Sequence, residues 1–138
     1  MTEEDSNVAR LREAYRLWHE TRGGSVEHWM DLLADDIDFR SLAGGAQPLE
    51  FTGGGGSKAE VRAYFEGLAR DWDMVHFTVE EFIAQRDRVV MLGRCAFTNR
   101  NTGKLVETPK VDIWRFADGK AVSFMEFYDT AGVYDAAG

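Results

Sequence analysis

The sequence is short of positive charge, of cysteine and of long apolar runs, and each shortage removes a class of function. Its 16 Lys and Arg stand against 24 Asp and Glu, a formal net charge of −8. An acidic surface repels phosphate backbones, so no nucleic-acid partner is expected. No basic run marks a membrane-facing surface, and no apolar stretch approaches the ~20 residues of a spanning helix, so no membrane association is expected either. The opening MTEEDSN is polar and acidic, unlike a secretion signal. The lone cysteine, Cys95, cannot close an internal disulfide. The default expectation is a soluble cytoplasmic protein. Metal-ligand patterns are missing as well: there is no His-x-His, no His-Glu-x-x-His and no cysteine pair. No metal and no cofactor are expected, and Ser41, Ser57 and Ser123 lack a nucleophile elbow.

What is present is a globular composition, 138 residues of which 44% are hydrophobic and 12% aromatic. The run Gly53-Gly54-Gly55-Gly56 has the look of a linker. Cutting there would leave a first part of about fifty residues, too little for a core of its own, so a single domain over 1–138 is expected. Ser57 followed three residues later by Glu60 is a capping box, with Val61, Tyr64, Phe65 and Leu68 at helical spacing behind it. The glycines are therefore the run-in to a helix over Ser57–Asp71, as a flap over a pocket or a plain surface loop. Gly56-Ser57-Lys58 is not the order of a phosphate-binding P-loop.

Earlier in the chain, apolar spacing predicts a helix over Ser6–Thr21 and a second over Ser25–Asp36, followed by a strand in IDFRSLA. Four strand-like runs rich in Val, Phe, Ile, Thr and Tyr close the chain: MVHFTVEEFIA, RVVMLGRCAFTNR, KLVETPKVDIWRF and KAVSFMEFYDT. Their short connections imply antiparallel hairpins. Helices first and a meander afterwards predict an α+β fold, with helices packed on one face of a curved antiparallel sheet.

Alternation along the last two strands puts Lys110, Asp112, Trp114 and Phe116 on one face, and Val122, Phe124, Glu126 and Tyr128 on one face of the partner strand. Asp112 is out of place among these neighbours. A carboxylate there must be paired, hydrogen-bonded or protonated, and desolvation would raise its pKa. Two readings stay open: an acid–base group, or a structural Asp that bonds backbone or Lys110. Both faces of the hairpin are largely apolar, so one is expected against the helices and the other against a second subunit.

The order of elements, the stretch VDIWRFADGK, the terminal Phe127-Tyr128-Asp129 and the pair in LLADD together resemble the nuclear-transport-factor-2-like superfamily. Within it the chain is similar to SnoaL-like proteins, ketosteroid isomerases and limonene epoxide hydrolases. The resemblance implies a cone-shaped α+β roll, a deep apolar pocket between helices and sheet, and a homodimer. It implies a cofactor-free isomerase, cyclase, hydrolase or dehydratase, or a member that only binds or scaffolds. Tyr15 and Asp112 match the tyrosine and protonated aspartic acid of the isomerase oxyanion hole. The position of the isomerase's base holds Ser41. Lys110, Asp112 and Glu126 are chemically similar to the charged set of the epoxide hydrolases, while Phe39 and Ser41 stand near the water-holding positions. The polyketide cyclases ask only for one aspartate, which Asp112 supplies.

The expected activity is therefore acid–base catalysis without a cofactor, on a small hydrophobic, carbonyl-containing or polycyclic molecule. Asp112 is the acid–base, Tyr15 an orienting or oxyanion donor, and Glu126 a carboxyl that tunes Asp112. Pocket walls are expected from Trp18, Trp29, Phe39, Ser41, Phe65, Trp72, Lys110, Trp114, Phe124 and Tyr128, with His76 either a pocket residue and shuttle of the dehydratase kind or a surface histidine at a strand end. Asp129 is assigned either to the ligand or to tying down the C-terminus. The rival reading is a non-catalytic small-ligand or dimerisation module of the same fold. An epoxide hydrolase or dehydratase is the second alternative.

Overall fold

The computed structural model describes residues 1–138. Helix α1, Glu3–Glu20, opens on a reciprocal cap between Thr2 and Asp5, and buries Leu11, Ala14, Tyr15 and Trp18. Its start lies three residues before the predicted one, because Thr2 and Asp5 satisfy the first backbone N–H groups. Helix α2, Val26–Leu32, is shorter than predicted. Leu33–Ser41 is already strand β1, so LLADD belongs mainly to the sheet. Helix α3, Lys58–Asp71, begins where Ser57 accepts from the Glu60 backbone N–H. Strands β2 (Trp72–Gln85), β3 (Arg88–Asn99), β4 (Leu105–Ala117) and β5 (Lys120–Tyr128) follow. The chain ends in a helix the sequence reading missed, α4, Thr130–Ala137. Asp129 caps it by accepting from the Gly132 N–H at 3.1 Å, so this aspartate ties down the C-terminus.

The strand order is β1-β5-β4-β3-β2 in one curved, unclosed sheet. The four-strand meander is antiparallel as expected, and β1 adds to it in parallel beside β5. At the β4–β5 turn, Asp118 (φ 52°) and Gly119 (φ 79°) both take left-handed backbone, which suits a two-residue hairpin. The helices lie on the concave face over a core that runs from Leu11 and Trp18 to Val89, Trp114 and Phe124. A smaller cluster, Leu49, Trp72, Val106 and Ala136, packs beneath α4. No helix is long and apolar enough to cross a membrane.

The glycine run has a structural reason. Gly55 exchanges two backbone hydrogen bonds with Phe39 of β1, each 2.9 Å. Gly54 sits at φ 81°, where a Cβ would stand 2.6 Å from the Phe39 carbonyl oxygen. The run is pinned to the edge of the sheet. Just before it, a 3-10 turn at Glu50–Gly53 presses Phe51 onto Gly67 of α3, where a Cβ would meet Phe51 Cβ at 2.3 Å.

Candidate functional site

Register brings the polar residues together. Across β4 and β5, Lys110 stands opposite Tyr128, Asp112 opposite Glu126 and Trp114 opposite Phe124. On the far side of β5, Ser41 and Phe39 of β1 pair with Glu126 and Phe124. An irregularity between Arg115 and Phe116 shifts the register near the hairpin turn. Ala121 becomes fully buried there and Val122 only partly so, which breaks the expected run of Val122 with Phe124.

Asp112, Glu126 and Lys110 are 2%, 3% and 8% exposed, and they form one cluster. The Lys110 ammonium donates to Asp112 Oδ1 and pairs with Glu126 Oε1 at 2.9 Å. Tyr15, brought in by α1, donates to Asp112 Oδ2 at 2.5 Å and accepts from the Trp114 indole N–H at 2.9 Å. Tyr64, brought in by α3, donates to the Glu126 carboxylate at 2.9–3.0 Å. Each carboxyl thus has one phenol of its own and a share of one ammonium.

Burial pushes the Asp112 carboxyl above the ordinary aspartate value; the Lys110 charge pulls it down, and Glu126 pushes it up again. For Lys110, burial works against the charged form, but the Asp112 and Glu126 charges outweigh it and hold the ammonium above the ordinary lysine value. Burial, then the neighbouring carboxylates, raise Tyr15 and Tyr64 well above an ordinary phenol. With all three charged groups ionised the cluster would carry one excess negative charge. A single proton on a carboxyl neutralises it.

The cluster forms part of the wall of a cavity with an empty volume of about 840 Å³, solvent at its mouth included. Of 23 lining residues, 18 are hydrophobic. Trp18, Trp29, Phe39, Phe65, Trp72, Lys110, Trp114, Phe124 and Tyr128 all line it, as do Tyr15, Asp112 and Glu126. Trp29 stacks on Trp114 with ring centroids 5.4 Å apart, and Phe39 on Phe124 at 4.5 Å. Burial pushes the Cys95 thiol on the same wall up to about 12, so it stays a neutral thiol.

Two expected pocket residues lie elsewhere. His76 is off the cavity wall: an irregularity between Met74 and His76 keeps Met74 and Phe77 buried and leaves the imidazole partly exposed, against Thr78 at 3.0 Å and Glu107 at 3.6 Å. Ser41 is buried behind the wall, with its hydroxyl 2.6 Å from the Tyr128 hydroxyl, which it helps to hold. Tyr64 is the partner of the carboxyl cluster that the sequence did not reveal. Its helical spacing placed it with Val61, Phe65 and Leu68 and showed that it points inward, but not that it meets a carboxyl on β5.

The family described as SnoaL-like domain matches residues 11–124. An NTF2-like protein from Burkholderia pseudomallei is 27% identical, with a TM-score of 0.85 over 99% of this chain and 98% of its own. One from Burkholderia thailandensis is 28% identical, with a TM-score of 0.80 over 100% and 99%. TerC, co-crystallised with polyporic acid, is 20% identical and shares the fold, with a TM-score of 0.82 over 96% of this chain and 98% of its own. No curated protein matches the chain.

Proposed function

This chain belongs to the SnoaL-like domain family, and on that premise we propose that it is a cofactor-independent acid–base enzyme of the isomerase or cyclase type. Its substrate is a small, flat, apolar molecule that carries a carbonyl group. One observation carries this reading: two buried carboxyls share a single ammonium in the wall of a cavity that is otherwise aromatic. That TerC, of the same fold, was crystallised with polyporic acid supports a small-molecule ligand.

Asp112 is the acid–base. As a carboxylate it takes a proton from the carbon next to the carbonyl, and the electrons of that C–H bond pass into the enolate. Return of the proton to another carbon completes an isomerisation; attack of the enolate carbon on a second carbonyl closes a ring, the π electrons of that carbonyl pass to its oxygen, and this oxygen takes the proton back from Asp112. Glu126 and Lys110 set how readily Asp112 holds the proton. Tyr15 positions Asp112, because its own O–H is directed at Oδ2. The dehydratase alternative loses its proposed shuttle, since His76 lies off the cavity. For epoxide opening, Lys110, Asp112 and Glu126 do meet, but Phe39 offers no polar group to hold a water and Ser41 is engaged with Tyr128.

The non-catalytic reading has its own support, since all four carboxylate oxygens of the cluster already have partners in the protein. Proton exchange separates the two. A tetralone in D2O is expected to take up deuterium beside its carbonyl about 10²–10⁴ times faster with the wild type than with Asp112→Asn. Binding without exchange would leave the ligand-binding module as the function.

Pairing of two copies through the outer sheet face is part of the same proposal. There Val90, Ile113 and Met125 form one row across three strands, and Leu92, Val111 and Phe127 a second. These rows are partly exposed in the single chain.

A further inference from the structure

The polar groups around the cavity are mostly occupied with one another. Tyr15 gives its O–H to Asp112, and Tyr64 gives its own to Glu126. Thr52 and Thr108 donate to the carbonyl oxygens of Leu49 and Pro109. A lysine ammonium has three N–H donors. Lys110 directs one to Asp112 and one to Glu126, which leaves the third. Its nitrogen lies 5.6 Å from the Phe77 ring centroid and 5.8 Å from that of Phe124, so the ammonium is flanked by two aromatic rings of the cavity wall. The Trp29 indole N–H is also buried without a partner, but the atom itself has no surface toward the cavity that its ring helps to line. A cavity with one spare ammonium N–H and an apolar lining selects a ligand that brings an acceptor oxygen.

We propose that Lys110 is the group that receives the substrate's carbonyl oxygen, through its third N–H, while Tyr15 holds Asp112 and does not touch the substrate. This deepens the reading above and rests on it for the class of ligand. It reverses the role that the resemblance to ketosteroid isomerases implies for Tyr15. Its chemistry is electrostatic: negative charge that develops on the oxygen during enolisation meets a fixed cation in a water-poor site. The same ammonium contacts both carboxyls, so the oxygen and the adjacent carbon of a ketone fall on neighbouring groups.

Fluorenone is a suitable probe, because it is flat and has no hydrogen on the carbons beside its carbonyl, so contact can be read without turnover. Its C=O stretch is measured by infrared difference spectroscopy, and its affinity, by tryptophan quenching, is compared with that of fluorene, which lacks the oxygen. In the wild type the stretch is expected below its frequency in hydrocarbon solvent, with fluorenone bound on the order of tenfold more tightly than fluorene. Lys110→Met alone leaves two buried carboxyls without a cation and risks unfolding, so the variant used is Lys110→Met with Glu126→Gln. That double variant is expected to lose both the shift and the preference, whereas Tyr15→Phe and Glu126→Gln alone keep them. Loss of the shift in Tyr15→Phe, its survival in the double variant, or an unshifted or unbound fluorenone in the wild type would each overturn the proposal. Deuterium uptake tests catalysis separately: no uptake with a Lys110-dependent shift removes the enzyme reading and keeps Lys110 as the ligand contact.

Discussion

On the inner face of the β4–β5 hairpin the opposing pairs include Lys110 with Tyr128 and Asp112 with Glu126, whereas on the outer face Val111 meets Phe127 and Ile113 meets Met125. The same two strands build both faces. Inside, each of the two carboxyls is held by a partner from far along the chain, Asp112 by Tyr15 of α1 and Glu126 by Tyr64 of α3. Outside, the side chains have only their neighbours in the sheet. Removing an inner group therefore strands a buried partner, and removing an outer one subtracts area alone.

The largest effect is expected at the centre of the inner network. Lys110→Met leaves Asp112 and Glu126 buried without their cation, and should lower the unfolding free energy by about 3–5 kcal/mol in urea titrations. Adding Glu126→Gln should recover part of that. A loss no larger than that of an exposed lysine would erase the contrast between the faces. The dependence on pH has a definite sign. Asp112 is raised above its ordinary 3.8, so its contribution is full below that value and lost as pH rises through the folded value. Wild type should therefore lose stability relative to Asp112→Asn as pH climbs from about 4. Lys110, raised above its ordinary 10.5, keeps its contribution up to that pH and loses it only under more alkaline conditions. A difference between wild type and Asp112→Asn that grows in favour of wild type with rising pH would mean that ion pairing with Lys110 outweighs burial. Next in size is Tyr64→Phe, which removes one hydrogen bond to a buried carboxylate and should cost about 1.5–3 kcal/mol. A cost near zero would mean that water replaces the hydroxyl, and the inner face would be less closed than its burial implies.

The contrast also explains what was legible in the sequence. Alternation along β4 and β5 is local, so the facing of Lys110, Asp112, Trp114 and Glu126 could be read directly, as could the α3 cap and the meander. What failed depended on pairing. His76 sits one residue beyond a break in the β2–β3 register, where alternation is no guide to facing. Val122 was misplaced by a similar break beside Arg115. Ser41 was placed by counting along the chain, and its engagement with Tyr128 spans 87 residues. Helix α4 was hidden because the pattern of β5 runs on into Asp129, whose capping role shows only once the chain has turned. LLADD read as helix because its apolar spacing continues that of α2, while its strand conformation comes with parallel pairing to β5, a contact with residues nearly ninety positions later.

The smallest expected change in the fold lies on the outer face, and it sharpens the comparison most. Met125→Lys puts a charge at the centre of a row whose neighbours are Ile113 and Arg40. In a single copy the lysine can extend into water, and the unfolding free energy should move by only about 0.5 kcal/mol. If two copies pair through this face, the same change buries a cation against its symmetry mate, and like charges brought together out of water oppose association. Sedimentation velocity should then show wild type as a dimer and Met125→Lys as a folded monomer. A monomeric wild type would mean that Val90, Ile113, Met125, Leu92, Val111 and Phe127 face solvent, and the difference between the two faces would be one of partners within the chain rather than of a second subunit. A variant that stays dimeric would move the interface off this face altogether.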